Sequence, residues 1–387
     1  MRVLFLTDSL SDLDGVGRYA VRLIAALERE HGELEVEVLL SRKHRPTSAE
    51  VPAHWRVGVG LPPDYFFYMS PLRFWGSLLA SLPRVWRAAR RADLVHAIKD
   101  YPHNYLGLLA ARLAGRPCVA TAHGTYTIQP LESARHRARA LWAYRRFAAM
   151  IAVSRYTARR LAAMAGEGGV DSARLRVVPN AVSAEHYDLP RGLEGRPWSG
   201  KRFTLSIGEL KERKGHHLAL EAWCPLARER PDLHHFLVGK AGGDAYQRSL
   251  EEIVERAGLS DRVHFVGNVT EEEKVDLLQG AEVFLHTPVT AADGGFEGFG
   301  IVYLEASAAG TAVIGTQDSG AEDAVLDGGT GFLVAPEPEA VAEALERLLD
   351  DDGLRRTMGE AGVEHARACS WEDNARTVAA LYAEVAR

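Results

Sequence analysis

Short apolar runs alternate with longer amphipathic segments along the whole chain. Residues 3–7 predict a buried strand. Residues 17–30 predict a helix, because Tyr19, Leu23, Ala26 and Leu27 recur at helical spacing. Further apolar runs at 34–40, 94–97, 118–122, 150–153 and 175–179 predict strands with helical stretches between them. Residues 183–201 break the pattern with Pro190, Gly192, Gly195, Pro197 and Gly200, and read as a linker. A second series follows. Its strands are expected at 204–207, 234–238, 263–266, 283–286, 312–314 and 331–334. Its helices are expected at 216–223, 245–257, 271–279, 300–309 and from Pro338 to Leu349. Strands alternating with helices imply parallel sheets covered on both faces. The expected fold class is therefore α/β, with two doubly wound domains facing each other across a cleft. In such sheets ligands bind beyond the carboxyl ends of the strands.

The 387 residues are enough for two cores, and 47% hydrophobic with 25% charged residues is ordinary for a globular protein. The first strand leads directly into Thr7-Asp8-Ser9, which reads as neither signal peptide nor membrane span. The three cysteines lack metal-ligand spacing, and reduced, structural thiols in a cytoplasmic protein are expected. Charge is uneven. Residues 1–199 hold 28 Lys and Arg against 18 Asp and Glu, and residues 200–387 hold 18 against 34. This asymmetry points to an anionic partner for the first half, or to arginine-rich helix faces in solvent.

Chemistry concentrates in loops after strands. Glu297-Gly298-Phe299-Gly300-Ile301-Val302-Tyr303-Leu304-Glu305 sets two carboxylates around a glycine-started helix, whose free amides suit phosphate. Were the segment helical throughout, the glutamates would lie roughly 12 Å apart, too far for the carboxylate pair of a glycosidase, which needs about 5–9.5 Å. Two separate grips on an elongated ligand fit the spacing, and so does an ordinary amphipathic helix with solvated glutamates. Gly208 through Gly215 contains Arg213 and Lys214, which can neutralise a diphosphate. Gly15 and Gly17 precede the first helix. Asp12-Leu13-Asp14 has metal–phosphate spacing, but a solvated acidic turn accounts for it as well. His123 ends a strand before Gly124, in a place suited to a cleft-facing or a structural histidine.

With these motifs in view, the chain resembles the GT-B-fold retaining glycosyltransferases of family 4 (glycosyltransferase group 1). Glu297-x7-Glu305 carries most of the likeness. His123-Gly124, Val178-Pro179-Asn180, Arg213-Lys214-Gly215, Phe265-Val266-Gly267 and the Gly328 turn agree with it. The resemblance implies two Rossmann-like domains, residues 1–185 on the acceptor side and 186–370 for the nucleotide sugar, with a helix over 371–387 crossing back to the first. It implies transfer of a hexosyl group from a UDP-sugar or GDP-mannose to a glycan, glycolipid or small-molecule acceptor, with an α-linkage formed. Alternatives are a sugar-nucleotide epimerase on the same fold and a non-catalytic sugar-nucleotide-binding subunit.

By the same resemblance His123, Glu297, Lys214 and Arg213 are the catalytic candidates. Gly15, Gly17, Gly208, Phe299, Gly300, Ile301 and Glu305 are the donor-binding ones. No metal, cofactor or nucleic acid is expected. Two departures stand out. Glu209 occupies a position where many relatives have Arg, so Glu209 is expected to point away and Arg213 to carry the charge. Asn180-Ala181 replaces Asn-Gly. The stretch 70–91, with Trp75 and Trp86 among arginines, fits either a peripheral site on the inner membrane face or a helix packed on its own domain.

Overall fold

The computed structural model describes all residues except Leu13, 42–47, Ala49, 167–168, Arg191, Leu193, Ala241 and Arg387. Leu13, in the middle of the Asp12–Asp14 motif, and Arg191 and Leu193 in the expected linker therefore lie outside the described residues. The chain divides into two units, Met1–Asn180 with Trp371–Arg387, and Ala181–Ser370. The division falls five residues before the position read from the sequence.

The first unit is built on a seven-stranded parallel sheet: β1 (Arg2–Leu6), β2 (Glu35–Ser41), β3 (Arg56–Leu61), β4 (Leu94–Ala97), β5 (Cys118–Ala122), β6 (Ala149–Ala152) and β7 (Leu175–Val177). Their order is β3-β2-β1-β4-β5-β6-β7. The chain winds outward from β1 in one direction, then returns and winds outward from β4 in the other. The carboxyl ends of β1 and β4 thus flank the point where the winding reverses, the usual ligand position in such sheets. β1 is fully buried from Val3 to Leu6 and pairs in register with β4, Leu6 opposite Ala97.

The helix Trp371–Val385 belongs to this unit. The Tyr382 hydroxyl lies 2.5 Å from His96 Nδ1 under the sheet, and Asn374 Nδ2 donates to the Pro179 carbonyl at 2.6 Å. The stretch 70–91 forms one helix, Pro71–Ala89, despite Pro83. Proline removes the bond to the carbonyl four residues earlier. Here that carbonyl belongs to Leu79, which is exposed, so water can satisfy it.

The second unit carries a six-stranded parallel sheet: β8 (Arg202–Ile207), β9 (Leu233–Val238), β10 (Val263–Gly267), β11 (Val283–Leu285), β12 (Ala312–Thr316) and β13 (Gly331–Val334). The order β10-β9-β8-β11-β12-β13 repeats the same winding, with the reversal between β8 and β11. Its core packs Trp223, Leu237, Leu285, Ile314 and Leu345 between the layers. The expected linker is not a free tether. Trp198 is buried and donates to Asp276 Oδ2 at 2.6 Å, and Val182 bridges to Ser370. These contacts tie the segment to the second unit.

Candidate functional site

Two loops of the second unit meet at its winding reversal. After β8 the chain runs through Gly208 to a short turn, Glu212–Lys214, and then into the helix His216–Glu229. After β11 it runs through His286 and Thr287 to Glu297 and the helix Ile301–Ala308. Gly215 locks them together. Its backbone is left-handed, at φ 68°, and a Cβ there would lie 1.6 Å from the Thr287 carbonyl oxygen. No other residue type fits that approach. Thr287 Oγ1 donates back to the Gly215 carbonyl at 2.8 Å, and the Val289 amide donates to the Arg213 carbonyl at 3.1 Å.

Glu297, 8% exposed, is the hub. Three groups converge on its Oε2. Lys214 Nζ donates to it directly, Arg213 Nη1 lies 3.6 Å away and His286 Nε2 lies 3.6 Å away. Burial alone would raise the Glu297 pKa. Lys214, His286 and Arg213 together overcome this and hold the carboxyl well below the usual range. Burial also lowers the Lys214 ammonium pKa, against the pull of Glu297. The stem of Lys214 rests on Gly208, where a Cβ would make ordinary contact at 3.4 Å. Glu209 pairs with Lys211 at 3.0 Å and is near enough to Lys214 to act on its charge, so Lys211 offsets part of the repulsion expected from a carboxylate here.

The Glu297 loop is held from below. Gly300, at φ 83°, lies over the Tyr303 ring, and a Cβ there would come within 2.7 Å of it. The Tyr303 hydroxyl donates to the His286 carbonyl at 2.6 Å. Gly320, in the turn after β12, packs against Gly298 and Phe299, and its amide donates to the Glu297 carbonyl at 2.9 Å. Phe299 is buried, and Ile301 opens the helix. The helix covers only Ile301–Ala308, so helical rise does not set the Glu297–Glu305 separation as assumed from the sequence. Glu305 is itself buried and meets Lys274 Nζ at 2.9 Å. Lys274 and His286 are the residues that sequence reasoning missed. A lysine inside an ordinary amphipathic helix and a histidine at a strand end carry no local signal.

In the first unit, residues after three strands come together. Lys99 follows β4 and pairs with Asp8, after β1, at 2.5 Å. Burial pulls the Lys99 pKa down, but Asp8 outweighs it and the pKa is raised. Asp100 Oδ1 accepts from the His123 amide at 3.2 Å and from the Thr127 hydroxyl. Burial raises the Asp100 pKa and lowers that of His123. Asp100 Oδ2, His123 Nε2 and both polar atoms of the Asn104 side chain are buried with no hydrogen-bond partner among the described residues.

The two N-terminal glycines separate. A Cβ on Gly17 would meet Ser9 Oγ at 2.5 Å, whereas nothing lies within 4 Å of one on Gly15. Asp14 uses both carboxylate oxygens locally, accepting from the Gly17 amide and from Ser9 Oγ at 2.6 Å each. It caps the first helix.

Comparison with known proteins agrees with this architecture. Residues 13–186 match the model of Glycosyltransferase Family 4, and residues 195–365 match that of Glycosyl transferases group 1. The chain belongs to the glycosyltransferases of GT-B type. It is 28% identical over 394 residues to the phosphatidyl-myo-inositol mannosyltransferase of Mycobacterium tuberculosis, an alignment covering 100% of this chain and 97% of that one. It is 34% identical over 231 residues to the D-inositol 3-phosphate glycosyltransferase of Corynebacterium urealyticum. That segment is 56% of this chain and 53% of the relative, so the chain spans about half the length of that protein. Anabaena HepE, solved in complex with UDP and glucose, superposes with a TM-score of 0.79 at 23% identity, over 99% of this chain and 100% of that one.

Proposed function

We propose that the protein is a retaining hexosyltransferase that takes a hexosyl group from a UDP-sugar or GDP-mannose and forms an α-glycosidic bond to a glycan, glycolipid or small-molecule acceptor. The observation that carries this reading is the convergence of Lys214, Arg213 and Glu297 at the winding reversal of the second unit. In the reaction the bond from the anomeric carbon to the diphosphate breaks and a bond from that carbon to an acceptor oxygen forms. The acceptor proton passes to a phosphate oxygen, so no protein base is required. Negative charge grows on the departing diphosphate. Lys214 and Arg213 are the cations placed to stabilise it, the step where fixed charges contribute most. Glu297 takes hydroxyls of the transferred sugar, and Glu305, anchored by Lys274, takes those of the ribose. The amides of Phe299 to Ile301 serve phosphate. His123 serves the sugar or acceptor hydroxyls. No metal ion enters this scheme. Full activity in EDTA is the expected result.

Titration with UDP and with GDP tests the donor. The true nucleotide stabilises the protein by about 2.7 kcal/mol at a hundredfold excess over its Kd. No shift with either would overturn the donor site. Incubation with the sugar nucleotide alone should give slow hydrolysis that Lys214→Ala abolishes. Release of an epimerised sugar nucleotide would instead identify an epimerase, and indifference to Lys214→Ala a binding subunit.

A second observation bears on where the enzyme works. Among the described residues, no helix is long and apolar enough to cross a membrane. The helix Pro71–Ala89 nevertheless exposes Leu72 at 85%, Leu79 at 63% and Trp75 at 40%. Arg73 and Arg87 are exposed on the same helix, and no acidic residue occurs between Asp64 and Asp93. We read this as a face for anionic lipid, with apolar side chains entering and arginines on the headgroups. Co-sedimentation with phosphatidylserine vesicles, weakened by salt and by the paired change Leu72→Ser and Leu79→Ser, is expected. Equal recovery with phosphatidylcholine vesicles would refute it.

A further inference from the structure

We propose that His286 is a positioning residue for Glu297, holding its carboxylate once the donor has drawn Lys214 away. This rests on the function proposed above.

Without donor, Lys214, Arg213 and His286 all address Oε2 of Glu297. The two cations are the groups the diphosphate needs. A ligand that attracts both removes the Glu297 counter-charges at the moment the carboxylate must accept from the sugar. A buried carboxylate left without donors takes up a proton or turns away. His286 is the one of the three with no task on the diphosphate. Its ring is fully buried, and burial lowers its pKa, so it is neutral at neutral pH. In that state a neutral imidazole with the proton on Nε2 donates to Oε2 and leaves Oε1 for the sugar hydroxyl.

The present separation of 3.6 Å is slightly beyond hydrogen-bond length. It closes when Lys214 no longer shares the oxygen. The backbone around His286 keeps the ring in place. Its amide donates to the Ile314 carbonyl at 3.1 Å, and its carbonyl accepts from Tyr303, whose ring packs against the imidazole at 5.1 Å. Neither ring nitrogen has a closer partner among the described residues. A histidine sealed beneath a carboxylate with both nitrogens unengaged is costly if its role is packing alone.

The test compares His286→Leu, which removes the donor, with His286→Gln, which restores an N–H at similar reach. Each is combined with Glu297→Gln in a kinetic double-mutant cycle, and thermal unfolding checks that each variant folds. His286→Leu should lower kcat about tenfold or more, the loss of a hydrogen bond to a charged group. Donor KM should stay within about twofold, because the diphosphate contacts remain. His286→Gln should recover most of the turnover.

The acid limb of the kcat profile should move up in His286→Leu. The other titratable groups around the carboxylate, Lys214, Arg213, His216 and Tyr303, are the same in both variants. In the Glu297→Gln background, His286→Leu should cost nothing further. An equal loss in both backgrounds, or an unmoved acid limb, would show that His286 acts on packing and would overturn the inference. If Glu297→Gln itself turned over like the wild type, the proposed role of Glu297 would fail first, and this inference with it.

Discussion

The two units use the same winding and the same strand ends but treat charge differently. In the second unit, cations and carboxylates at the reversal are paired with each other, Lys214 with Glu297 and Lys274 with Glu305, and beside them the neutral ring of His286 lacks a hydrogen bond among the described residues. In the first unit one pair, Lys99 with Asp8, stands beside polar atoms that have no partner among the described residues, Asp100 Oδ2, His123 Nε2 and the Asn104 amide. A paired site can be opened by a ligand that offers both partners something better, as a sugar diphosphate does. Unpartnered buried groups instead favour a ligand rich in hydroxyls, which can donate and accept at several points. On the function proposed above, the donor goes with the first arrangement and the acceptor with the second.

The largest effects come from breaking the lysine pairs. Lys214→Met and Lys99→Met each take the nearest cation from a buried carboxylate and should destabilise, Lys99→Met by about 3–5 kcal/mol and Lys214→Met by less, because Arg213 and His286 stay beside Glu297. Replacing both partners by apolar residues, Lys214→Met with Glu297→Leu or Lys99→Met with Asp8→Leu, should recover most of that loss in chemical denaturation. Turnover then separates the units. The first double variant should remain at least about a hundredfold slow, having lost charges that act on the leaving group. The second should regain activity, because the proposed scheme gives Lys99 and Asp8 no part on the diphosphate. An inactive but stable Asp8 and Lys99 double variant would erase the distinction.

Two smaller effects follow. Glu305→Gln should raise donor KM about tenfold with kcat nearly unchanged, the mark of binding used equally in ground and transition states. The isothermal affinity for the bare nucleotide should fall by the same factor. Asn104→Leu asks whether the orphaned amide in the first unit serves a ligand. A role in acceptor binding predicts a higher acceptor KM and an unchanged donor KM. The variant should also be more stable by about 1–3 kcal/mol, since a buried polar group without partners is removed. Greater stability with unaltered acceptor kinetics would leave that amide a cost of the fold alone.

The same contrast explains what could be read from the sequence. The second unit's site lies largely within contiguous motifs, 208–215 and 297–305, so its residue types and spacing appear together. The first unit's site is assembled from single residues after β1, β4 and β5; of Asp8, Lys99, Asp100, Asn104 and His123 only His123 was singled out, from the glycine that follows it. Strand positions were legible throughout because parallel strands buried on both faces are continuous apolar runs. Strand β3 was not, since Gly58 and Gly60 dilute its pattern; a Cβ on Gly60 would press on Arg84 at 3.0 Å. The helix expected at 216–223 was too short, stopping before Pro225. Pro83 and Pro225 both face solvent, where the carbonyl each releases can be hydrated, so the helices Pro71–Ala89 and His216–Glu229 continue through them. The helix Asp352–Ala368 went unread because it begins directly after another, separated only by the capping Asp351.

The smallest effect per residue tests what the units share. Each buries neutral histidines that have no part in the proposed chemistry. Burial lowers His96 to about 3 and His103 to about 4 in the first unit, and His216 and His235 to about 3 in the second. Their unfolded value is near 6.5. Between about 6.5 and the folded values the unfolded chain binds protons that the folded chain refuses. Stability is therefore fully present above pH 6.5 and falls as the pH drops below it, with a limiting slope on the order of 1 kcal/mol per pH unit for each histidine. Hydrogen exchange followed by mass spectrometry, read separately over residues 1–180 and 181–370 from pH 7.5 to 5, should show protection lost in both units over the same window. Replacing His96 by Gln should flatten the slope in the first unit and leave the second as it was. A loss confined to one unit would mean that the histidines of the other are already charged, and that the difference between the units reaches into their cores.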